Sequence, residues 1–405
     1  MKKNRAALRP ESCLIPGFRF SGVTAGIKQV QKPDLALIVA DRPVKAVATF
    51  TTNRLKAAPV LQGQRAIRGG KLRAVVVNSG NANAATGPQG LKTAWATAEA
   101  VAKGLGTSKN QVLVSSTGKI GVQLDARKIL QALPGAIQGL AEKNFSQAAC
   151  AIMTTDAFPK WHAVRGKVGG RPFIVAGFAK GAGMIEPNMA TMLAYLFTDL
   201  DLPLGAMRKS FRSAVGASFN SISVDGDMST NDTAVLMASG RSGIPLLKPG
   251  SPAWKAFESA LLEVCQRLAW MMVQDGEGAT KVVEIHVQGA KNAASAKRIA
   301  YRIARSPLVK TSFFGQDPNW GRVFAAVGYS GETFDPSRVD IYYGPIALVR
   351  NGLPTPVVNE AKAHKVMKNS QFRVLVDLKG GRGEAKVWTS DLGYAYVKIN
   401  AEYRT

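Results

Sequence analysis

The stretch Lys180-Gly181-Ala182-Gly183-Met184-Ile185-Glu186-Pro187-Asn188-Met189-Ala190-Thr191-Met192-Leu193-Ala194 is the densest run of small residues in the chain, and it leads into an apolar segment, Met192–Phe197. Paired glycines of the KGAG kind usually mark turns. The stretch is not a phosphate loop, because it has no GK[ST] and no strand–GxGxxG–helix register. Its unusual part is Asn188-Met189-Ala190-Thr191, which sets a hydroxyl side chain at the head of an apolar strand. Threonine is also a good β-former, so its chemistry alone leaves this position open between a strand start and a nucleophile.

Outward from this segment, the short apolar runs Leu35–Ala40, Arg73–Val77, Gln111–Ser115 and Pro172–Phe178 read as strands separated by Gly- and Asn-rich turns. Leu91–Leu105 and Ala253–Val273 read as helices. In the second, Ala260, Leu261, Val264, Leu268, Met271 and Met272 recur at helical spacing and make a core-facing stripe. Strands and helices mix without strict βαβ alternation, which predicts an α+β protein with layered sheets and helices. Gly344–Glu360 divides a smaller C-terminal portion, about 345–405, from the rest. In Tyr394–Thr405, Tyr396, Lys398 and Asn400 alternate after a strand-like run, and the chain stops with no further tail.

The chain has 405 residues, with 53 Lys and Arg against 27 Asp and Glu, for a formal charge of +26. With 46% hydrophobic and 20% charged residues, it is globular in composition, and at roughly 100–200 residues per domain it should hold two or three domains. Cys13, Cys150 and Cys265 are far apart with no CxxC, as expected of reduced buried thiols. His162, His286 and His364 are isolated, which argues against a His-based zinc site or a Ser-His-Asp triad. The basic N-terminus is not followed by the apolar core of a secretory signal, and no apolar run approaches the length of a membrane span. A soluble cytoplasmic protein is expected. The charge invites a nucleic-acid reading, but the sequence offers no helix-turn-helix, zinc finger or RNP-like motif, and its basic residues never run longer than two.

Other segments are richer than ordinary loops. Ser218–Thr233 carries Asp225, Asp227 and Asp232, resembling a calcium loop in composition. Its glycine falls between the first two Asp and no Glu stands where a twelve-residue loop needs it, so hydrogen-bonded turns are expected. Ser115-Ser116-Thr117-Gly118-Lys119-Ile120-Gly121 is a strand entering a glycine turn, a geometry that can aim backbone N–H groups at an oxyanion. Asp275-Gly276-Glu277-Gly278-Ala279-Thr280-Lys281 and Asp317-Pro318-Asn319-Trp320-Gly321-Arg322 are similarly specific.

Together KGAGMIEPNMATMLA, SFNSISVDGDMSTNDT, DGEGATK, SPLVKTSFFGQDPNWGR, VVNSGNANAATGPQG and INAEYRT closely resemble the ornithine acetyltransferase family, also called glutamate N-acetyltransferases or bifunctional arginine-biosynthesis proteins, from about Gly17 to Thr405. The resemblance implies self-cleavage between Ala190 and Thr191, giving an α chain of residues 1–190 and a β chain of residues 191–405. It implies that Thr191 is the nucleophile, that Thr117 and Gly118 form the oxyanion hole, and that Thr154, Lys180, Thr191, Glu277, Asn400 and Thr405 contact substrate. Lys180 then suits an α-carboxylate and Glu277 a cationic amine. Acetyl would pass from N-acetylornithine to glutamate through an acetyl-enzyme, with acetyl-CoA as a second donor in bifunctional members.

The family pattern further implies a layered α/β sandwich built by both halves of the cut chain and an α2β2 heterotetramer. It uses no metal and no bound organic cofactor, and acetyl-CoA enters as a substrate. Glu186 stands where many relatives have a small residue, Ala182 where many have Ser, and Ala157 where Thr is frequent. A self-cleaving amidase or aminopeptidase is the nearest alternative, since the Ala-Thr site alone would fit it. A basic nucleic-acid-binding protein is a more distant one. The cleavage site also divides the charge: residues 1–190 hold 27 Lys and Arg against 8 acids, and residues 191–405 hold 26 against 19. The excess therefore does not follow the motif residues.

Overall fold

The computed structural model describes residues 13–186 and 192–402. The chain runs through β1 (Phe18–Val23), β2 (Leu35–Phe50), α1 (Ala58–Ala66), β3 (Lys71–Asn81), α2 (Gly87–Leu105), β4 (Val112–Lys119), α3 (Ala126–Gln138), α4 (Phe145–Ala151), β5 (Lys160–Val168) and β6 (Arg171–Lys180). It continues through β7 (Leu193–Thr198), α5 (Leu204–Gly216), β8 (Ile222–Ser223), β9 (Thr233–Ala238) and α6 (Pro252–Gln274). There follow β10 (Val282–Ala290), α7 (Ala293–Ala304), α8 (Pro307–Phe314), α9 (Trp320–Gly328), β11 (Asp340–Tyr343), β12 (Ile346–Arg350) and β13 (Leu353–Pro354). The last elements are α10 (Val358–Met367), β14 (Gln371–Asp377), β15 (Gly383–Ser390) and α11 (Tyr394–Glu402).

One sheet has the order β4-β3-β2-β9-β7-β6-β5, with β1 added on β2, and a second has the order β13-β12-β11-β14-β10-β15-β8. The strand β7 explains the apolar run after Thr191. Ala194 and Leu196 enter a core shared with α5 and α6, while Leu193, Tyr195 and Phe197 enter another shared with β1 and α4. A strand buried on both faces has no polar alternation to show. In β2, Asp41, Arg42 and Pro43 are exposed and the register shifts between Val39 and Val44. The first half of β2 therefore pairs with β1 and the second half with β9.

Helix α6 starts at a Ser-Pro signal. The Trp254 N–H donates to Ser251 Oγ at 3.2 Å, and Pro252 opens the first turn, where a missing N–H costs nothing. Its stripe of Phe257, Leu261, Val264, Leu268 and Met272 is buried, and the helix packs on β5 and β6 of the first sheet and on β15 of the second. It is thus a layer between the two sheets. Helices α2 and α3 cover β2, β3 and β4, while α7, α9 and α10 cover the second sheet. The fold is the expected layered α+β sandwich.

Residue 345 lies in the turn joining β11 to β12, inside a second sheet that also takes in β8 and β10. The alternation of Tyr396, Lys398 and Asn400 lies on a helix, α11, where Tyr396 and Asn400 share a face four residues apart. Among the described residues, no helix is long and apolar enough to cross a membrane.

The core beneath β7 is aromatic: Phe178 meets Phe145 at 5.2 Å, Tyr195 at 5.7 Å and Phe197 at 5.8 Å between ring centroids. Phe178→Ala should cost about 3–5 kcal/mol of unfolding free energy. A denaturant midpoint that does not move would contradict this packing.

Candidate active site

The strands β6 and β7 are antiparallel partners, with Lys180 opposite Leu193. The chain therefore leaves the sheet after Lys180 and re-enters it at Leu193, at the same end. The strand β9 runs parallel to β7 with Thr233 beside Leu193, which brings the segment before β9 against this excursion. Asp232 Oδ1 accepts from the Met192 N–H at 2.8 Å, and the Thr233 N–H donates to the Met192 carbonyl at 3.1 Å. On the other side, Asp225 accepts from the Met184 N–H at 2.5 Å and the Ile185 N–H at 2.8 Å. The calcium-like composition of 225–232 is thus spent on gripping both flanks of the loop. Asn231 adds a brace, its Nδ2 donating to the carbonyls of Ala82 at 2.6 Å and Ser116 at 2.9 Å.

Beside this loop lies a cavity of about 230 Å³. Thr117, Gly118, Thr154, Lys180, Glu277 and Asn400, singled out from sequence, all line it. Thr117 and Gly118 arrive on the end of β4. Gly118 has φ +130°, and a Cβ there would stand 2.3 Å from the Gly80 carbonyl carbon, so the position requires glycine. Lys180 ends β6, and its Nζ donates to Thr154 Oγ1 at 2.6 Å and to Thr117 Oγ1 at 3.2 Å. Glu277 follows α6, with its N–H donating to the Ala182 carbonyl at 3.0 Å. Its carboxylate lies over Gly183, where a Cβ would come within 2.5 Å of Glu277 Cδ. The KGAG glycines therefore serve a close approach as well as a turn. From α11, Asn400 Nδ2 donates to Glu277 Oε2 at 2.9 Å.

Lys180 is buried, and a buried ammonium needs compensation. It comes from Asp156, whose Oδ2 lies 3.8 Å from Lys180 Nζ. Asp156 also accepts from the Thr154 N–H at 2.9 Å and the Gly181 N–H at 2.8 Å. Its Oδ1 is 2.6 Å from Nζ of the fully buried Lys160, which in turn pairs with Asp275. Burial alone would raise the Asp156 pKa, but Lys180 and Lys160 hold it below the usual carboxylate range. Burial lowers the Lys180 pKa, and Asp156 opposes that shift. Asp225 is different: burial pushes its carboxyl up to about 6, against the pull of the Met184 and Ile185 N–H groups. Among the described residues, no group of three or more His, Cys, Asp or Glu is placed to hold a metal ion.

A family model described as the ArgJ family matches residues 19–405. The arginine biosynthesis bifunctional protein ArgJ of Geobacter sulfurreducens is 51% identical over 391 residues, covering 96% of this chain and 100% of the relative. The protein of the same name from Brucella melitensis is 45% identical over 400 residues, covering 98% of this chain and 97% of the relative. The crystal structure of the arginine biosynthesis bifunctional protein argJ from Bacillus halodurans is 40% identical. It covers 53% of this chain and 100% of its own, with a TM-score of 0.51. The chain belongs to the ArgJ family. It is accordingly an enzyme, an acyltransferase of arginine biosynthesis.

In this ArgJ-family chain, Ala190, Thr191 and Thr405 lie outside the described residues. Sequence reasoning missed Asp156, Lys160 and Tyr396. Tyr396 lines the cavity, and its hydroxyl approaches Asp225 Oδ2 at 3.4 Å. Asp156 had a signal in its place beside Thr154. Lys160 had none, because only the fold brings Asp275 to it.

Asp156→Asn leaves two buried ammonium groups without their shared counter-charge and should cost about 3–5 kcal/mol of stability, read as a lower unfolding midpoint. The raised pKa of Asp225 means that the folded state binds its proton more tightly than the unfolded chain does. This group therefore favours folding increasingly as pH falls from above 6 toward the ordinary carboxylate value of about 3.9. The Met184 and Ile185 amide resonances should titrate with a midpoint near 6, and Asp225→Asn should abolish that step. A midpoint near 4 would show that burial does not govern this carboxyl.

Proposed function

We propose that this enzyme cuts itself between Ala190 and Thr191 and then uses Thr191 to move acetyl from N-acetylornithine to glutamate. The observation that carries this reading is the gathering of Lys180, Glu277, Thr117, Gly118 and Thr154 around one cavity beside the excursion that holds Thr191. The Bacillus halodurans relative adds support. Its entire chain matches 53% of this one, the share that a β chain of residues 191–405 would occupy.

A threonine hydroxyl is a weak nucleophile unless a base takes its proton. In cleavage, the Thr191 hydroxyl attacks the Ala190 carbonyl, the peptide C–N bond breaks, and water hydrolyses the resulting ester. The freed α-amine of Thr191, with an ordinary pKa of about 7.7–8.0, then serves as the base near working pH. The hydroxyl attacks the acetyl carbonyl of N-acetylornithine and its proton passes to that amine. The C–N bond to ornithine breaks, and ornithine leaves with the proton. The amine of glutamate next attacks the acetyl ester, returning the proton to the threonine oxygen and releasing N-acetylglutamate.

Thr117 and Gly118 stabilise the oxyanion, each such donor being worth about 2.7–4 kcal/mol in the transition state. Lys180 receives the α-carboxylate. Glu277, oriented by Asn400, receives the cationic side chain of the ornithine donor, and Thr154 and Thr405 complete the substrate contacts. Acetyl-CoA is a second donor to glutamate, bound as a substrate, and the reaction uses no metal or resident organic cofactor. The two chains remain together as an α2β2 heterotetramer in the cytoplasm.

Intact-mass measurement of the purified protein should give chains of 190 and 215 residues. N-acetylornithine and, separately, acetyl-CoA should each yield N-acetylglutamate when glutamate is present. Thr191→Ala should neither cleave nor transfer. An uncut chain that still transfers acetyl would sink the Thr191 mechanism, and release of acetate without N-acetylglutamate would make the protein a self-cleaving amidase.

A further inference from the structure

Helix α7 and its C-cap residue Arg305 place Lys297, Arg298, Tyr301, Arg302 and Arg305 at spacings of three and four. With Asn220 opposite, they line a second cavity of about 460 Å³ that shares no lining residue with the cavity beside Lys180. Two of the four cations are neutralised, Arg298 by Glu332 and Arg305 by Glu186. Among the described residues, no carboxylate pairs with Lys297 or Arg302. Lys297 donates to the Gly216 carbonyl, at 3.1 Å. The cavity therefore carries two positive charges that no carboxylate among the described residues pairs with.

Its cations are also held in place. The Arg302 guanidinium lies 5.2 Å over the Tyr329 ring and that of Arg305 lies 4.9 Å over Tyr301. The Tyr301 hydroxyl donates to the Asn220 carbonyl at 2.8 Å. Stacking fixes a guanidinium at little entropic cost and leaves its edge N–H groups facing outward. Burial lowers the pKa of both Lys297 and Arg305, the response of cations that are partly stripped of water.

We propose that this cavity is a binding site for a phosphoryl group on a small anion, recognised by the Arg302 guanidinium and the Lys297 ammonium. A planar guanidinium and an ammonium lining one cavity match the oxygens of a doubly charged phosphoryl group. Free inorganic phosphates and the nucleotide end of a CoA thioester both present that group. The site lies outside the acetyl-transfer cavity. The ion pair of Arg305 with Glu186 joins it to the segment that follows β6.

The test is isothermal titration of the full-length protein with inorganic pyrophosphate and, in a separate arm, with adenosine 3′,5′-bisphosphate, which lacks the thioester arm. At least one arm should saturate at a single site. The tighter arm identifies the source, free phosphate or nucleotide. Arg302→Ala and Lys297→Gln should each weaken that binding about tenfold, and Arg302→Glu should abolish it. Lys109→Ala, which removes one charge beside α2, should leave it unchanged. No saturable binding in either arm, or an equal loss with Lys109→Ala, overturns the proposal.

Discussion

The site depends on one buried chain of alternating charges: Lys180, Asp156, Lys160 and Asp275. Each member taken alone would be expensive to bury. As a chain, each internal charge faces opposite charges on both sides. The residues come from three places: the loop before β5 and its first residue, the last residue of β6, and the cap of α6. Asp275 also accepts from the Ala157 N–H at 3.0 Å, and Asp156 from those of Thr154 and Gly181. The ionic chain is therefore also a backbone clamp. It fixes Thr154 and Lys180 on one wall of the cavity, and its far end sits two residues before Glu277 on the other.

The sheet supplies the second constraint. Since Lys180 and Leu193 are paired, the loop between them starts and ends at one point of the sheet. The segment 225–232 then holds its two flanks through carboxylate-to-amide bonds at Asp225 and Asp232. Carboxylates that accept from backbone N–H groups hold a conformation without filling the space in front of it. The cavity stays open while its rim is fixed.

Much of this was legible in the residues. The runs later seen as β3, β4, β6 and β7, and the stripe of α6, announced themselves by apolar period and by turns, because burial there is a property of the segment. The site residues were legible only as motifs, through resemblance, since no local pattern tells Lys180 apart from an exposed lysine. Lys160 was beyond reach for a physical reason: a lysine is buried only when distant acids meet it, and Asp275 is far away in sequence. The crossing of Asp41–Pro43 by β2 was hidden because an exposed bulge interrupts its apolar pattern. Tyr396, Lys398 and Asn400 were ambiguous because a spacing of four satisfies both a strand face and a helix face.

The strand order also decides what a cut after Ala190 would do to the molecule. In the order β4-β3-β2-β9-β7-β6-β5, the strands β9 and β7 follow the cut, and they lie between β2 and β6, which precede it. Six residue pairs join β6 to β7 and six join β2 to β9. None of these ladders needs the 190–191 peptide bond. Separating the two chains would break both ladders and expose β7, which is buried on both faces along its whole length. The loss of one covalent bond would therefore leave both ladders in place and create two new chain ends. One of those ends is the amine that the proposed chemistry requires.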